Sequence, residues 1–159
     1  MIFSSVISFR QRGMALLVSL IFLLLLTLIG VSSMQNATLQ EKMAGSVSLR
    51  NQSFQGAEAA LRVGESAVRR DSYALPVCSG GLQCAPPAES STITSAGFNA
   101  TSGVMWVASG QGFYGVQNIG VTSDAVNVPI NAQATLYRIT AVGIAGYSRS
   151  VVESIYAKY

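Results

Sequence analysis

Two short segments of this sequence contain residue types whose spacing allows a covalent reaction. Cys78 and Cys84 are separated by a glycine-containing stretch, Ser-Gly-Gly-Leu-Gln, that can close into a small loop. An even number of cysteines favours a disulfide in an exported domain, and two reduced thiols are the alternative. Near the other end of the chain, Arg10 and Arg12 precede Gly13, and an apolar run begins at Met14. The Gly13–Met14 peptide bond is therefore a candidate site of proteolytic processing.

Other catalytic or metal-binding arrangements are not readable in the sequence. It contains no histidine, which excludes Ser-His-Asp and Cys-His arrangements and leaves too few ligands for a metal. The acidic residues are scattered, so no general acid–base pair can be identified. Gly110–Gly115 matches the pattern G-x-G-x-x-G of dinucleotide-binding sites. In such a site a helix follows the glycines, whereas this sequence predicts a strand there, so a glycine-rich turn between strands is the favoured interpretation. We therefore expect no cofactor, no metal and no enzymatic activity.

The apolar run that begins at Met14 is long enough to cross a membrane. No charged side chain occurs between Gly13 and Gln40. As a helix, Met14–Met34 would span roughly 30 Å at about 1.5 Å per residue. This run is longer than the apolar region of a secretory signal, although cleavage near Gly30–Ser33 is an alternative. An uncleaved single-pass anchor, with its basic flank in the cytoplasm, is another.

The overall charge gives little support to nucleic-acid binding. The chain has 10 basic and 7 acidic side chains, a net charge of +3. Removing the segment that contains Arg10 and Arg12 leaves eight basic and seven acidic side chains, a balance of +1. Arg69-Arg70 is the only basic doublet, and no basic cluster has interleaved aromatic residues. We expect no specific nucleic-acid partner.

The segment behind the apolar run has the pattern of an amphipathic helix. No proline occurs before Pro76, so nothing forces a break between Met14 and about Asp71. Apolar and small residues recur in steps of three and four, which predicts one face that packs on the rest of the protein. The residues predicted to form this face are Met43, Val47, Phe54, Ala57, Leu61, Gly64 and Val68.

The rest of the chain predicts a loop followed by a sheet. Residues 72–102 are rich in Pro, Gly, Ser, Thr and Ala, which indicates a surface loop that Cys78 and Cys84 would close. Residues 103–159 contain four segments rich in β-branched and aromatic residues, and Gly143–Gly146 is a plausible hairpin connection. We predict an α+β fold in which the helix packs on an antiparallel sheet of about four strands. The four predicted strands lie at Val104–Val107, Phe113–Val116, Ala134–Ile144 and Arg149–Tyr156.

The residues of the N-terminal third resemble a known family. Residues 10–18, Arg-Gln-Arg-Gly-Met-Ala-Leu-Leu-Val, look like the leader junction of type IV prepilins. The longer run to Ala67 resembles the N-terminal region of PilX-type minor pilins, on the motifs at residues 30–34, 39–45 and 54–62. A strand at residues 137–141, Tyr-Arg-Ile-Thr-Ala, supports it more loosely. The resemblance implies a lollipop-like pilin fold, with a long helix as the spine of an α+β head.

The same resemblance implies a division of the chain and a set of modifications. Residues 1–13 would be a leader that a prepilin peptidase removes after Gly13, and Met14 would then be N-methylated. Residues 14–34 would be the transmembrane and filament-core half of the helix, and residues 35–71 its amphipathic half. The implied partners are other minor pilins, the major pilin and a tip adhesin, with the inner membrane as the site before assembly.

One position departs from the usual pilin pattern. Most type IV pilins have Glu as the fifth residue of the mature chain, whereas the fifth residue counted from Met14 is Val18. Val18 cannot make the charge pair that the resemblance assigns to this Glu and a neighbour's N-terminus. We therefore hypothesise that this subunit occupies a terminal or priming position in the filament.

The expected function is that of a minor type IV pilin, a structural subunit that primes or caps pilus assembly and supports motility and adhesion. It would be held in the inner membrane with its head in the periplasm, and later lie in the pilus at the cell surface. A pseudopilin of a type II secretion system and a stationary membrane-anchored periplasmic binding domain are the alternatives. Because both cysteines lie in the 72–102 loop, this loop is the expected surface for partner choice.

Overall fold

The computed structural model describes residues 12–126, 128, 129 and 132–159, and it has an α+β fold. A long helix, α1, comprises Arg12–Val68 and is followed by the short helix α2, Gly81–Cys84, and a 3-10 turn at Ala88–Ser91. The chain divides into two compact units, Met1–Ala44 and Gly45–Tyr159. Five strands follow the helices: β1 Gly97–Asn99, β2 Val104–Ser109, β3 Gly112–Thr122, β4 Ala134–Ala145 and β5 Ser148–Lys158.

The five strands form one antiparallel sheet in the order β1-β2-β3-β4-β5. The prediction of an α+β fold is confirmed, and the expected count of about four strands is one short. The strand that the sequence pattern missed is β1, which lies within residues 72–102. It contains three residues, Gly-Phe-Asn, which is too short to show an alternating pattern.

The connections between the central strands are short because glycine occurs where the chain reverses. Ser109 pairs with Gly112, so the turn between β2 and β3 is Gly110-Gln111, with Gly110 at φ 55°. The G-x-G-x-x-G match therefore begins in a hairpin turn, as predicted. The second hairpin was expected at Gly143–Gly146. The structure places the turn at Gly146-Tyr147, with Gly146 at φ 57°, and Gly143 lies inside β4.

Gly143 has a packing role, because α1 approaches the sheet most closely at this residue. A Cβ atom at Gly143 would lie 1.9 Å from the Ser53 carbonyl oxygen and 2.3 Å from the Ala57 nitrogen. Further along the helix, a Cβ atom at Gly64 would lie 2.7 Å from Ile139 in β4. At these two glycines the helix and β4 lie almost directly against each other, and only small side chains fit between them.

This close approach corrects the predicted packing face of α1. Ala57, Gly64 and Val68 are buried and Leu61 is half-buried, as expected. In contrast, Val47 and Phe54 are 56% and 47% exposed, and Met43, in the first unit, is 67% exposed. Size decides the orientation at this contact, because large side chains would hold the helix away from Gly143. The remaining positions that face the sheet are small and include Ser53, Gly56, Ala60 and Ala67.

The sheet has a core on each face. On the helix side, Val68 packs with Val116, Tyr137 and Ile139. On the opposite side, Trp106 packs with Val104 and Val142, and Ile93 covers them. Residues 72–102 therefore cross from the end of α1 to the far face of the sheet, with the 3-10 turn and α2 among them.

The end of α1 is stabilised from the far end of the chain. The Lys158 ammonium donates to the carbonyl oxygens of Arg70 and Tyr73, at 2.5 and 3.0 Å. These carbonyls lie just beyond the end of α1, and a cation close to a helix C-terminus interacts favourably with the helix dipole. No basic residue lies in the last turn of α1 itself, so β5 supplies this charge.

Candidate functional site: an apolar helix and a disulfide-closed loop

The first candidate surface is the apolar part of α1 in the first unit. The helix over Met14–Val68 is long and apolar enough to cross a membrane, and its most apolar window has a mean hydropathy of 2.9. Every described side chain from Met14 to Ala44 is exposed. A helix that is apolar on all sides needs lipid or other apolar helices around it.

Two hydroxyl side chains within the apolar run bond to the helix itself. Ser19 Oγ donates to the Leu16 carbonyl and Thr27 Oγ1 donates to the Leu24 carbonyl, each at 2.8 Å. Such bonds to the preceding turn reduce the cost of placing a hydroxyl in an apolar environment. This part of the helix therefore suits burial in a bilayer or in a bundle of apolar helices.

The predicted processing site lies at the start of this helix. Residues 1–11, which include Arg10, lie outside the described residues, and Gly13 belongs to α1. The side chains of Met14 and Val18 are 65% and 45% exposed. Val18 thus belongs to the surface that would meet lipid or neighbouring helices, and it carries no charge there.

The second candidate surface is the loop that the two cysteines close in the second unit. Cys78 and Cys84 are joined by a disulfide, with Cα atoms 5.3 Å apart. The loop contains Gly80, at φ 81°, and α2, whose last residue is Cys84. Because the loop is only a few residues long, the bond fixes its shape locally and leaves its attachment to the sheet to other contacts.

Three side chains of β3 and β4 attach the loop to the sheet. Gln117 Nε2 donates to the carbonyl oxygens of Gln83 and Ala85, at 2.6 and 3.1 Å. Asn118 Nδ2 donates to the Leu75 carbonyl at 2.8 Å. Arg138 Nη1 donates to the Cys84 carbonyl at 2.7 Å, while its Nε atom pairs with Glu153 at 3.2 Å.

We call Gln117, Asn118 and Arg138 the loop clamp. The Arg138 side chain is only 14% exposed, so its hydrogen bonds are largely shielded from water. Sequence reasoning missed the loop clamp because its members lie far from the cysteines in the chain. The alternating pattern of β3 and β4 signals strands, but it does not show which polar side chains reach another segment.

The loop continues into a second polar anchor centred on Glu89. Its carboxylate accepts hydrogen bonds from Ser102 Oγ and from Trp106 Nε1, the latter at 3.1 Å. Burial is the largest influence and raises the pKa of Glu89. Three hydrogen bonds, from Ser102, the backbone and Trp106, together outweigh it, and the pKa lies below its ordinary value. Glu89 therefore stays ionised and holds residues 88–91 against β2.

The described residues offer no arrangement for metal binding. Among them there is no group of three or more His, Cys, Asp or Glu side chains able to hold an ion. The chemistry that the geometry supports is packing and recognition. An apolar helix meets lipid or other helices, and a braced loop presents a fixed surface.

These features define a class of protein, an α+β protein whose N-terminal helix can anchor it in a membrane and whose second unit carries a disulfide-closed loop. Residues 12–62 match the family model described as PilX N-terminal. This match covers about a third of the chain, and it confirms the resemblance of the N-terminal helix to PilX-type pilins. No curated protein and no solved structure matches the chain.

Proposed function

We propose that this protein is a minor type IV pilin that primes or caps pilus assembly at the inner membrane and supports pilus-dependent motility and adhesion. The observation that carries the proposal is the helix over residues 12–62. It matches the PilX N-terminal model, and its apolar side chains from Met14 to Met34 are all exposed. Membrane anchoring alone requires an apolar helix, whereas pilus assembly also requires release from the leader. The match to a PilX model favours a pilus over a type II secretion system.

In the proposed pathway, the prepilin peptidase cleaves after Gly13 and Met14 becomes the methylated N-terminus. The helix then moves from the bilayer into contact with helices of other minor pilins and the major pilin. Burial in lipid and burial in a helix bundle are similar for apolar side chains, so close packing supplies the preference for the bundle. The second unit would lie in the periplasm before assembly and at the cell surface afterwards, where it could meet a tip adhesin.

The decisive experiment is the mature N-terminus measured by mass spectrometry, in cells with and without the prepilin peptidase. We expect methylated Met14 only when the peptidase is present. A matched control is Gly30→Ala, which replaces a glycine whose Cβ would meet nothing within 4 Å and should be processed normally. An intact Met1, or a chain that starts near Ser33, would refute the proposal.

The priming or capping position is proposed from Val18. Without a carboxylate there, the subunit lacks the charge pair that would help it join the repeating shaft. We expect Val18→Glu to increase incorporation along the shaft while pilus initiation stays unchanged. Quantitative immunogold labelling of purified filaments measures this. Abundant wild-type subunit at regular intervals along the shaft would contradict the terminal position.

A further inference from the structure

A concave apolar pocket of about 640 Å³ lies beside the disulfide-closed loop, within the second unit. Its floor is the helix-facing side of β2 and β3, and the segment Tyr73–Ser79 forms one wall. We call it the β2 pocket. Its apolar side chains on β1 and β2 are well exposed: Phe98, Met105 and Val107 have exposures of 63%, 55% and 40%. These values show that no described element covers the β2 side of this face.

The lining of the β2 pocket determines which chemistry fits it. No Asp, Glu, Lys or Arg occurs among its lining residues. Burial, followed by the neighbouring Tyr114 and Tyr137, raises the pKa of Tyr73 to about 12, so this phenol is neutral as well. The pocket therefore favours apolar groups, and a charged ligand would find no opposite charge there.

Apart from the two tyrosine hydroxyls, the polar side chains of the lining are hydrogen-bonded within the protein. Asn118 donates to Leu75 and accepts from the Gly120 backbone, and Ser79 donates to Gln83. Because these groups have partners, a polar ligand would have to break existing bonds. An occupant that makes mainly apolar contacts avoids this cost.

The position of the pocket on the sheet favours an α-helix over an extended peptide. The backbone groups of β2 point within the plane of the sheet, towards β1 and β3, so an extended peptide lying on this face would find no backbone partners there. A helix satisfies its own backbone. α1 rests on β4, and β2 lies two strands away, at about 10 Å for a strand spacing near 4.8 Å. Packed helices are separated by about 8–10 Å, so a second helix fits beside α1 over β2.

We propose that the β2 pocket receives apolar side chains from the amphipathic helix of a neighbouring pilin-type subunit. This inference rests on the proposed function. The present chain shows what such a helix offers, because Val47 and Phe54 lie seven residues apart on α1 and stay exposed beside its packing face. Two anchors spaced by two helical turns match the usual insertion of a helix into a groove.

The test is site-specific photocrosslinking of the full-length protein in cells that assemble the pilus. Benzoylphenylalanine replaces Phe98 in the pocket, and the control replaces Tyr147, which is 80% exposed in the β4–β5 turn and does not line the pocket. We expect an adduct at position 98 with a pilin-type subunit. Mass spectrometry should map it to the helix that follows that subunit's apolar segment. Position 147 should not give this adduct.

A second variant tests the pocket without altering the probe. Met105→Asp places a carboxylate in the apolar contact and should reduce the adduct at position 98 by about tenfold or more. Leu82→Asp is the matched control, because Leu82 is 74% exposed and lies outside the lining. The adduct yield of this control should stay unchanged. An unaltered Trp106 fluorescence shows that each variant remains folded.

The outcomes separate this inference from the proposed function. If Met14 is processed and methylated but position 98 gives no adduct, the pocket proposal fails and the pilin proposal stands. Adducts to lipid, to a small molecule, to a loop or strand, or to a protein of another class also overturn the pocket proposal. If Met14 is not processed, the pilin proposal fails by itself, whatever position 98 shows.

Discussion

Replacing Gly143 by alanine should strongly destabilise the second unit. The added Cβ atom would lie 1.9 Å from the Ser53 carbonyl oxygen, whereas Cβ contacts below 3.0 Å are essentially never observed. Restoring 3.0 Å requires α1 to move by at least 3.0 − 1.9 = 1.1 Å. The contacting atoms belong to the helix backbone, so no side-chain rotation can relieve the clash.

The magnitude follows from this forced separation. Overpacking a core costs about 1–3 kcal/mol, and a gap of about 1 Å also removes a quarter to a half of the dispersion energy of the separated contacts. We expect a loss near the upper end, about 3 kcal/mol. With a urea dependence of about 1–3 kcal/mol per M, the unfolding midpoint should fall by roughly 1–3 M.

The single tryptophan provides the assay for this prediction. Trp106 is only 2% exposed, so its emission reports unfolding of the second unit in the full-length protein held in mild detergent. Gly45→Ala is the control, because a Cβ at Gly45 would meet nothing within 4 Å and alanine favours a helix. Its midpoint should stay equal or rise. If Gly143→Ala unfolds at the same urea concentration as Gly45→Ala, the inferred contact between helix and sheet is wrong.

Three further predictions concern the loop, the polar anchor and the end of α1. The double change Cys78→Ser/Cys84→Ser should lower the free energy of unfolding by roughly 2 kcal/mol, because the disulfide closes a short loop. Denaturation without reductant measures this loss, and an unchanged unfolding midpoint would contradict the prediction. Because the pKa of Glu89 is lowered on folding, its ionised form stabilises the protein above the ordinary pKa of 4.5, and this contribution disappears as pH falls through the folded-state pKa. The midpoints of wild type and Glu89→Gln should therefore differ at pH 7 and converge at low pH, and a constant difference would exclude this linkage. Lys158→Met should lower the free energy of unfolding by about 1 kcal/mol, because it removes the cation from the end of α1. Amide hydrogen exchange should become faster at residues 65–70. Unaltered exchange at these residues would show that the contact does not stabilise the helix end.

Local signals explain most of what could be predicted about the fold. The apolar run behind Gly13 has the length of a bilayer and contains neither proline nor charge, and these features predict a helix that starts near Met14. In the structure α1 continues to Val68 without a break. Residues rich in β-branched and aromatic side chains marked four strands. The fifth, β1, was missed because a three-residue strand forms only when β2 lies beside it.

The helix orientation and the loop attachment could not be predicted in the same way. Hydrophobicity placed Val47 and Phe54 on the packing face, yet the structure exposes them because Gly143 admits only small residues. In the sequence nothing distinguishes the loop clamp, Gln117, Asn118 and Arg138, from other polar strand residues. Only the folded structure shows that these side chains bond to the loop.

The sequence by itself therefore determined the membrane-capable helix, the resemblance to PilX-type pilins and the sheet-forming segments, because these depend on residues close together along the chain. Only the tertiary structure decided which face of α1 is buried, how the disulfide-closed loop is held and where the β2 pocket opens. These depend on contacts between distant positions, such as Lys158 with Arg70, 88 residues apart. The geometry of such contacts is set by packing, which no local pattern encodes.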